Sequence, residues 1–169
     1  MNTRYISGML FSCLLFLGIT TTASANEENR TAIAVSENTA IYAITYTFTT
    51  EDYDLSLPII TDRSLETDAD SRTTNYTFST SADGDTAAGT ATGLVLSDAA
   101  IVDGQYFVPQ GTTANFTLFV VLTLDENDPR AKYGLQMTNL PFTVHKDDTS
   151  SNQNITTLSA YKTKEVGLN

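Results

Sequence analysis

The sequence predicts an all-β protein, an antiparallel β-sandwich of about seven to nine strands. Threonine is unusually frequent, with 25 of the 144 residues from Asn26 to Asn169, and with valine, isoleucine and aromatic residues it forms segments that alternate with period 2. Such alternation is typical of strands. Polar turn segments separate these strands at short intervals, and no window of useful length has a helical period. Short connections favour antiparallel pairing over the long crossovers that a parallel sheet requires.

In the first half of the chain, residues 41–48 form the clearest predicted strand, because Tyr42, Ile44, Tyr46 and Phe48 share one face. Residues 53–59 alternate in the same way, and Pro58 predicts that this strand ends there or lies at a sheet edge. Residues 61–72 are polar and acidic without a period, which predicts a loop. A strand over residues 74–80 and a second loop over residues 81–89 follow.

Four segments continue this pattern toward the middle of the chain. Residues 90–97 predict a weaker strand in which Leu94 and Leu96 share one face. Asp103-Gly104 predicts a tight turn that joins residues 100–102 and 105–108 in a hairpin. Residues 114–124 are apolar on both faces, which indicates a central strand.

The remaining segments are more polar. Residues 125–129 predict the turn of a hairpin between the central strand and a strand over residues 132–138. Residues 140–144 are predicted to extend that strand after a bend. Residues 146–154 predict a polar linker, and residues 155–168 a last strand with docking contacts from Leu158, Tyr161, Val166 and Leu168.

The N-terminus predicts export. Arg4 is followed by an apolar stretch over residues 6–19 and by the small residues Ala23-Ser24-Ala25, the pattern of a signal peptide cleaved after Ala25. The apolar stretch is shorter than the roughly 20 residues of a membrane span. We therefore expect residues 1–25 to be a signal peptide and residues 26–169 to be a single domain without a membrane span. Its place is then the periplasm, the cell surface or the extracellular space.

Charge and cysteine content exclude several classes of function. The net charge is −11, and the loss of Arg4 with the signal peptide makes it −12. A nucleic acid would be repelled by such a chain. The one cysteine, Cys13, lies inside the predicted signal peptide, so the mature chain has neither a disulfide nor a thiolate metal site. Protein partners are the expected ones.

The sequence also contains little that indicates catalysis. The single histidine, His145, is predicted to lie at a strand end facing water, and no Gly-x-Ser-x-Gly nucleophile motif accompanies it. Pairs of carboxylates are numerous, but no pattern selects one pair for hydrolysis. We therefore expect a non-enzymatic protein.

A resemblance supports the predicted sandwich. The segment Val-Pro-Gln-Gly-Thr-Thr-Ala-Asn-Phe-Thr-Leu over residues 108–118 resembles an element of bacterial immunoglobulin-like and fibronectin-III-like domains. In those domains a Pro-x-Gly turn leads into a long strand. The resemblance implies an immunoglobulin-like sandwich that serves as a structural or protein-interaction module of a cell-envelope or extracellular assembly.

A second resemblance concerns calcium. Fragments around residues 36–38, 68–71 and 124–126 resemble the calcium-binding segments of cadherin-type repeats, in which carboxylates chelate Ca²⁺. The spacing from Asp70 to Asp125 is longer than in that family, and its closing Asp-x-Asn-Asp-Asn motif is missing at the C-terminal end. The resemblance implies calcium as a possible cofactor, with these ligands: Glu37, Asp68, Asp70, Asp125 and Glu126.

Carbohydrate is the other alternative ligand. It would stack on exposed aromatic side chains of one sheet face. The tyrosines of the mature chain mostly fall in phase with neighbouring apolar residues, which predicts core packing instead. They are Tyr42, Tyr46, Tyr53, Tyr76, Tyr106, Tyr133 and Tyr161.

Overall fold

The computed structural model describes residues 22–24, 30–59, 61–63, 76–80, 89–125, 132–156 and 158–168. These residues form fourteen strands, and every strand pair is antiparallel. Within these ranges no helix is long and apolar enough to cross a membrane. The strands are β1 (Thr22–Ser24), β2 (Arg30–Ala34), β3 (Thr39–Thr49), β4 (Asp54–Pro58), β5 (Thr61–Arg63), β6 (Tyr76–Thr80), β7 (Gly89–Ser97), β8 (Ala100–Val102), β9 (Gln105–Val108), β10 (Thr113–Leu124), β11 (Lys132–Met137), β12 (Leu140–Lys146), β13 (Thr149–Ile155) and β14 (Val166–Gly167).

The strands belong to three sheets. The six-stranded sheet has the order β1-β3-β10-β7-β5, and β2 pairs with another part of the same edge of β3. The five-stranded sheet has the order β13-β12-β4-β9-β8, and the three-stranded sheet the order β14-β11-β6. The sequence predicts that residues 140–144 extend β11 after a bend. In the structure Thr138 and Asn139 separate β11 from β12, which is a strand of a different sheet.

The core lies between the six-stranded sheet and the two smaller sheets. The rings of Phe48 and Phe142 are 5.6 Å apart, and those of Phe116 and Tyr106 are 5.8 Å apart. The hydroxyl of Tyr42 donates a hydrogen bond of 3.0 Å to the carbonyl of Tyr133. Burial in this core raises the pKa of Tyr42 to about 12. The predicted all-β antiparallel sandwich is therefore confirmed, while its immunoglobulin-like subtype stays a prediction. The predicted count of seven to nine strands is not confirmed, because the described residues form fourteen.

The strongest sequence patterns form the centre of the large sheet. β10 pairs with β3 on one side and with β7 on the other, which confirms the prediction of a central strand. On both β3 and β10 the residues with even numbers are buried. β4 ends at Pro58, but it lies between β9 and β12 and is not an edge strand.

The predicted hairpin at Asp103-Gly104 is confirmed as β8 and β9. Asp103 has a φ of 49° and Gly104 a φ of 75°. Two successive positive φ values match the twist of a two-residue hairpin turn, and aspartate followed by glycine tolerates them well.

The polar linker predicted over residues 146–154 is wrong. Residues 149–155 form β13, which pairs with β12 along its whole length. The turn residues Asp147 and Asp148 have φ values of 47° and 59°. β13 is an edge strand with mostly exposed side chains, so backbone hydrogen bonds form it without an apolar pattern.

The hairpin predicted between β10 and β11 is also wrong. β10 belongs to the six-stranded sheet, whereas β11 pairs with β6 and β14. The chain therefore passes from one layer of the sandwich to the other after Leu124, which lets both strands bury their apolar faces in the same core.

Two further predictions need correction. Residues 61–63 form β5, which pairs with β7, although they lie in the predicted loop of residues 61–72. Ile155 ends β13, and among the described residues of 156–168 only Val166–Gly167 forms a strand, where the sequence predicts one over residues 155–168. Their predicted docking role is confirmed, because Leu158, Tyr161 and Leu168 are buried in the core.

Candidate functional site

The side of the six-stranded sheet that faces away from the core is rich in exposed apolar side chains. We call the outward side chains of β2, β3, β7 and β10 the outer face. Phe119 is 37% exposed, Leu96 48% and Ile33 55%. Ile41, Leu94 and Val121 are also exposed. Leu94 and Leu96 do share one face as predicted, but the residues of β7 that enter the core are Ala91 and Val95.

Strand register makes these side chains neighbours. Val121 lies opposite Ile41, and Ile41 lies opposite Ile33 on the next strand. In the adjacent row, Phe119 lies opposite Ala43 on one side and Leu94 on the other. Directly opposite residues in antiparallel strands have Cβ atoms about 4.5–5.5 Å apart. The apolar side chains therefore form one continuous patch across four strands.

Threonine pairs continue the outer face along β3 and β10. The hydroxyls of Thr45 and Thr117 are 2.9 Å apart, and those of Thr49 and Thr113 are 3.0 Å apart. Between them the hydroxyl of Thr47 donates to Asn115 Oδ1 at 3.1 Å. These polar groups hydrogen-bond across the strands, so this part of the face is polar but carries no charge.

The outward positions of β2, β3, β7 and β10 lack ionisable residues. They hold only threonine, asparagine, alanine and larger apolar residues. β5 borders this face beside β7, and its Arg63 lies opposite Thr92. One acidic residue, Asp98, is hydrogen-bonded to this face from just beyond the end of β7. Its carboxylate accepts hydrogen bonds from Asn115 Nδ2 at 2.9 Å and from Asn115 N at 2.7 Å. These bonds lower the pKa of Asp98. An uncharged face is unexpected in a chain with 20 acidic residues.

The structure brings together the segments of two of the five predicted calcium ligands. Glu37 and Asp125 are both exposed. Leu124 N donates to Asn38 O at 2.8 Å, and Asn38 Nδ2 donates to Leu124 O at 3.2 Å, so their two segments are adjacent. Asp68, Asp70 and Glu126 lie outside the described residues. The residues that the structure does describe contain no group of three or more side chains suited to a metal ion.

His145 joins three strands of the five-stranded sheet. Its Nε2 lies 2.7 Å from Ser56 Oγ on β4, and its Nδ1 lies 2.9 Å from Ser150 Oγ on β13. A serine at this distance from a histidine is the geometry of a nucleophile and its base. However, Ser56 is only 5% exposed, and the second ring nitrogen faces a hydroxyl instead of the carboxylate of a catalytic triad. The arrangement supports a structural hydrogen-bonded link.

The tyrosines confirm the prediction of core packing. All seven that follow residue 26 are buried: Tyr42, Tyr46, Tyr53, Tyr76, Tyr106, Tyr133 and Tyr161. None of them forms the exposed stacking platform on which the carbohydrate alternative depends. The apolar outer face is the feature that the sequence analysis missed, although the alternation of Phe119 and Val121 with buried residues contained the signal.

No protein family and no curated protein matches this chain. Any functional interpretation therefore depends on the chemistry of the described surface.

Proposed function

We propose that this chain is an exported, non-enzymatic interaction module that docks onto a protein of a cell-envelope or extracellular assembly. The docking surface is the outer face, and the observation that carries the proposal is its continuous apolar, uncharged surface across four strands. Large exposed apolar patches on soluble proteins mark interaction sites. A nucleic acid finds no basic residue at the outward positions of these four strands.

The size of the outer face fits a protein partner. At about 3.3 Å per residue and 4.8 Å between strands, the 5, 11, 9 and 12 residues of β2, β3, β7 and β10 give the face a flat area of about 600 Å². This is about three quarters of the roughly 800 Å² that each partner contributes to a standard interface. A small ligand would instead need a concave pocket.

The turn before β10 supports the immunoglobulin-like subtype as part of this proposal. Thr112 N donates to Pro109 O at 3.2 Å, and Gly111 has a φ of 70°. A Pro-x-Gly turn thus leads directly into the longest strand, as in the domains that the sequence resembles.

Photo-crosslinking tests the proposal. In cells that naturally make the chain, a benzophenone-bearing phenylalanine analogue at Phe119 is expected to give one discrete protein adduct. The same analogue at Asn152, which is exposed on β13 of the five-stranded sheet, is the matched control and should give none. Adding Val121→Asp should abolish the Phe119 adduct, because the interface would desolvate an unpaired charge. Equal adducts from both positions, or none from Phe119, would contradict the proposal.

Calcium is the alternative, and it predicts a different result. The proposed docking uses no ionised group, so we expect the melting temperature to change by less than about 1 °C between EDTA and millimolar calcium. Calcium at one hundred times the dissociation constant of such a site would add about 2.7 kcal/mol to the free energy of unfolding. That increase would raise the melting temperature by several degrees. A rise of that size, lost in Glu37→Gln with Asp125→Asn, would favour the calcium-binding alternative.

A further inference from the structure

Part of the predicted signal peptide is a strand of the folded sheet. β1 pairs with the end of β3, with Thr22 opposite Thr49, Ala23 opposite Phe48 and Ser24 opposite Thr47. β2 pairs with the same edge of β3 further along, where Arg30 lies opposite Ile44. Cleavage after Ala25 would remove β1 and leave β2 in place.

From this we infer that cleavage opens a strand-acceptor edge on β3, at Thr47–Thr49, and that an extended, uncharged segment of a partner protein fills it. The inference rests on the export part of the proposed function. An added strand gains main-chain hydrogen bonds from an open sheet edge, and side-chain pockets at alternate positions select its sequence.

The edge that cleavage would open is short but has no charged or proline residue to protect it. Natural edges carry lysine, proline or a bulge that prevents pairing with another chain. Here the residues are Thr47, Phe48 and Thr49, without charge or proline and with high strand propensity. Their pairing with β10 on the opposite side is continuous, so the edge is held in an extended conformation.

The position of β1 indicates what the partner segment looks like. β1 runs antiparallel to β3 and consists of Thr-Ala-Ser. Phe48 is fully buried and packs against Phe116 and Phe142. The partner residue opposite Phe48 therefore borders the core and is expected to be small and apolar, as Ala23 is. An acidic segment is disfavoured because the chain itself is strongly acidic.

Residues 26–169 retain the buried hydrophobic residues that the structure describes, which run from Ala40 to Leu168. The exported chain is thus expected to fold with the edge open.

Disulfide trapping tests the inference. The full-length precursor is made with Thr47→Cys, exported and purified, and its intact mass reports the loss of residues 1–25, which include the natural cysteine. The probe is a synthetic peptide of residues 20–26 that carries Ser24→Cys. In a glutathione buffer we expect a mixed disulfide with the protein to form at least about tenfold faster than in the control, because pairing raises the effective concentration of the two thiols.

The control protein carries Thr117→Cys, on the same face of β10 but one strand away from the edge. A peptide with Ala23→Cys, whose thiol would point to the opposite side of the sheet, should also react slowly. Equal rates for the two proteins would overturn the inference. Preferential formation of a disulfide between two copies of the Thr47→Cys protein would also overturn it, by assigning the edge to self-association. A retained signal peptide would refute the export part of the proposed function, which the mass measurement separates from a failure of strand binding.

Discussion

Replacing Phe116 by alanine is expected to lower the free energy of unfolding by about 3–5 kcal/mol. Phe116 is fully buried, stacks on Tyr46 at 5.5 Å and contacts Phe48 at 5.7 Å. It also meets Tyr106 from the opposite layer at 5.8 Å, so the cavity would open between the two layers. Denaturant unfolding curves of the two proteins, fitted with a common m-value, measure this change in the free energy of unfolding.

Phe119→Ala is the matched control, since it lies on the same strand and points to the outer face. The expected loss there is about 1 kcal/mol, because Phe119 is 37% exposed and its truncation opens no enclosed cavity. Similar losses for the two variants would show that the outer face is packed against something in the isolated protein, and would contradict the assignment of inner and outer faces.

Gly93→Ala is expected to have the second largest effect, a loss of about 1–3 kcal/mol from overpacking. A Cβ atom at Gly93 would lie 2.7 Å from Tyr76 Cε1 and 3.2 Å from Cζ. The ring of Tyr76 is buried and packs against Phe78 at 6.1 Å, so it has little room to move. Thermal unfolding should show a drop of several degrees.

Gly167→Ala serves as the control for this prediction, because its nearest neighbour would be Lys132 Cγ at 4.0 Å. It should leave the melting temperature nearly unchanged. Tyr76→Leu should lower the free energy of unfolding less in the Gly93→Ala background than it does alone, because the leucine lacks the ring atoms that would contact the new Cβ. A neutral or stabilising Gly93→Ala would contradict the close packing of β6 on β7.

Strong local patterns made much of the fold predictable. β3 and β10 alternate over their whole length, and Asp103-Gly104 permits two positive φ values, so two strands and one hairpin follow from the residues themselves. Asn139 and Pro141 likewise indicate the break between β11 and β12, but not that β12 joins a different sheet.

The parts that could not be predicted depend on tertiary pairing. β13 and β5 are short or polar strands that exist because a neighbouring strand offers free backbone groups. The passage of the chain after Leu124 into the other layer depends on which sheet has room for β11, and local sequence does not contain that information.

The candidate surface was only half predictable for a related reason. Alternation shows that Phe119 and Val121 share one face of β10, and the apolar residues on both faces predict the central position of this strand but not what covers each face. Whether a face is covered depends on what packs against it, and no described strand covers this one. For the calcium hypothesis, three of the five carboxylates, Asp68, Asp70 and Glu126, lie outside the described residues.

The most direct test of the proposed docking surface is the yield of the photo-adduct formed from a benzophenone analogue at Ile41 when Phe119→Thr and Val121→Thr are introduced together. Threonine preserves strand propensity at both positions but makes the centre of the outer face polar. The outer-face account predicts that the adduct falls at least about tenfold, the equivalent of 1.4 kcal/mol of binding, while the melting temperature stays the same. An adduct that persists at the parent yield would show that the apolar outer face does not hold the partner.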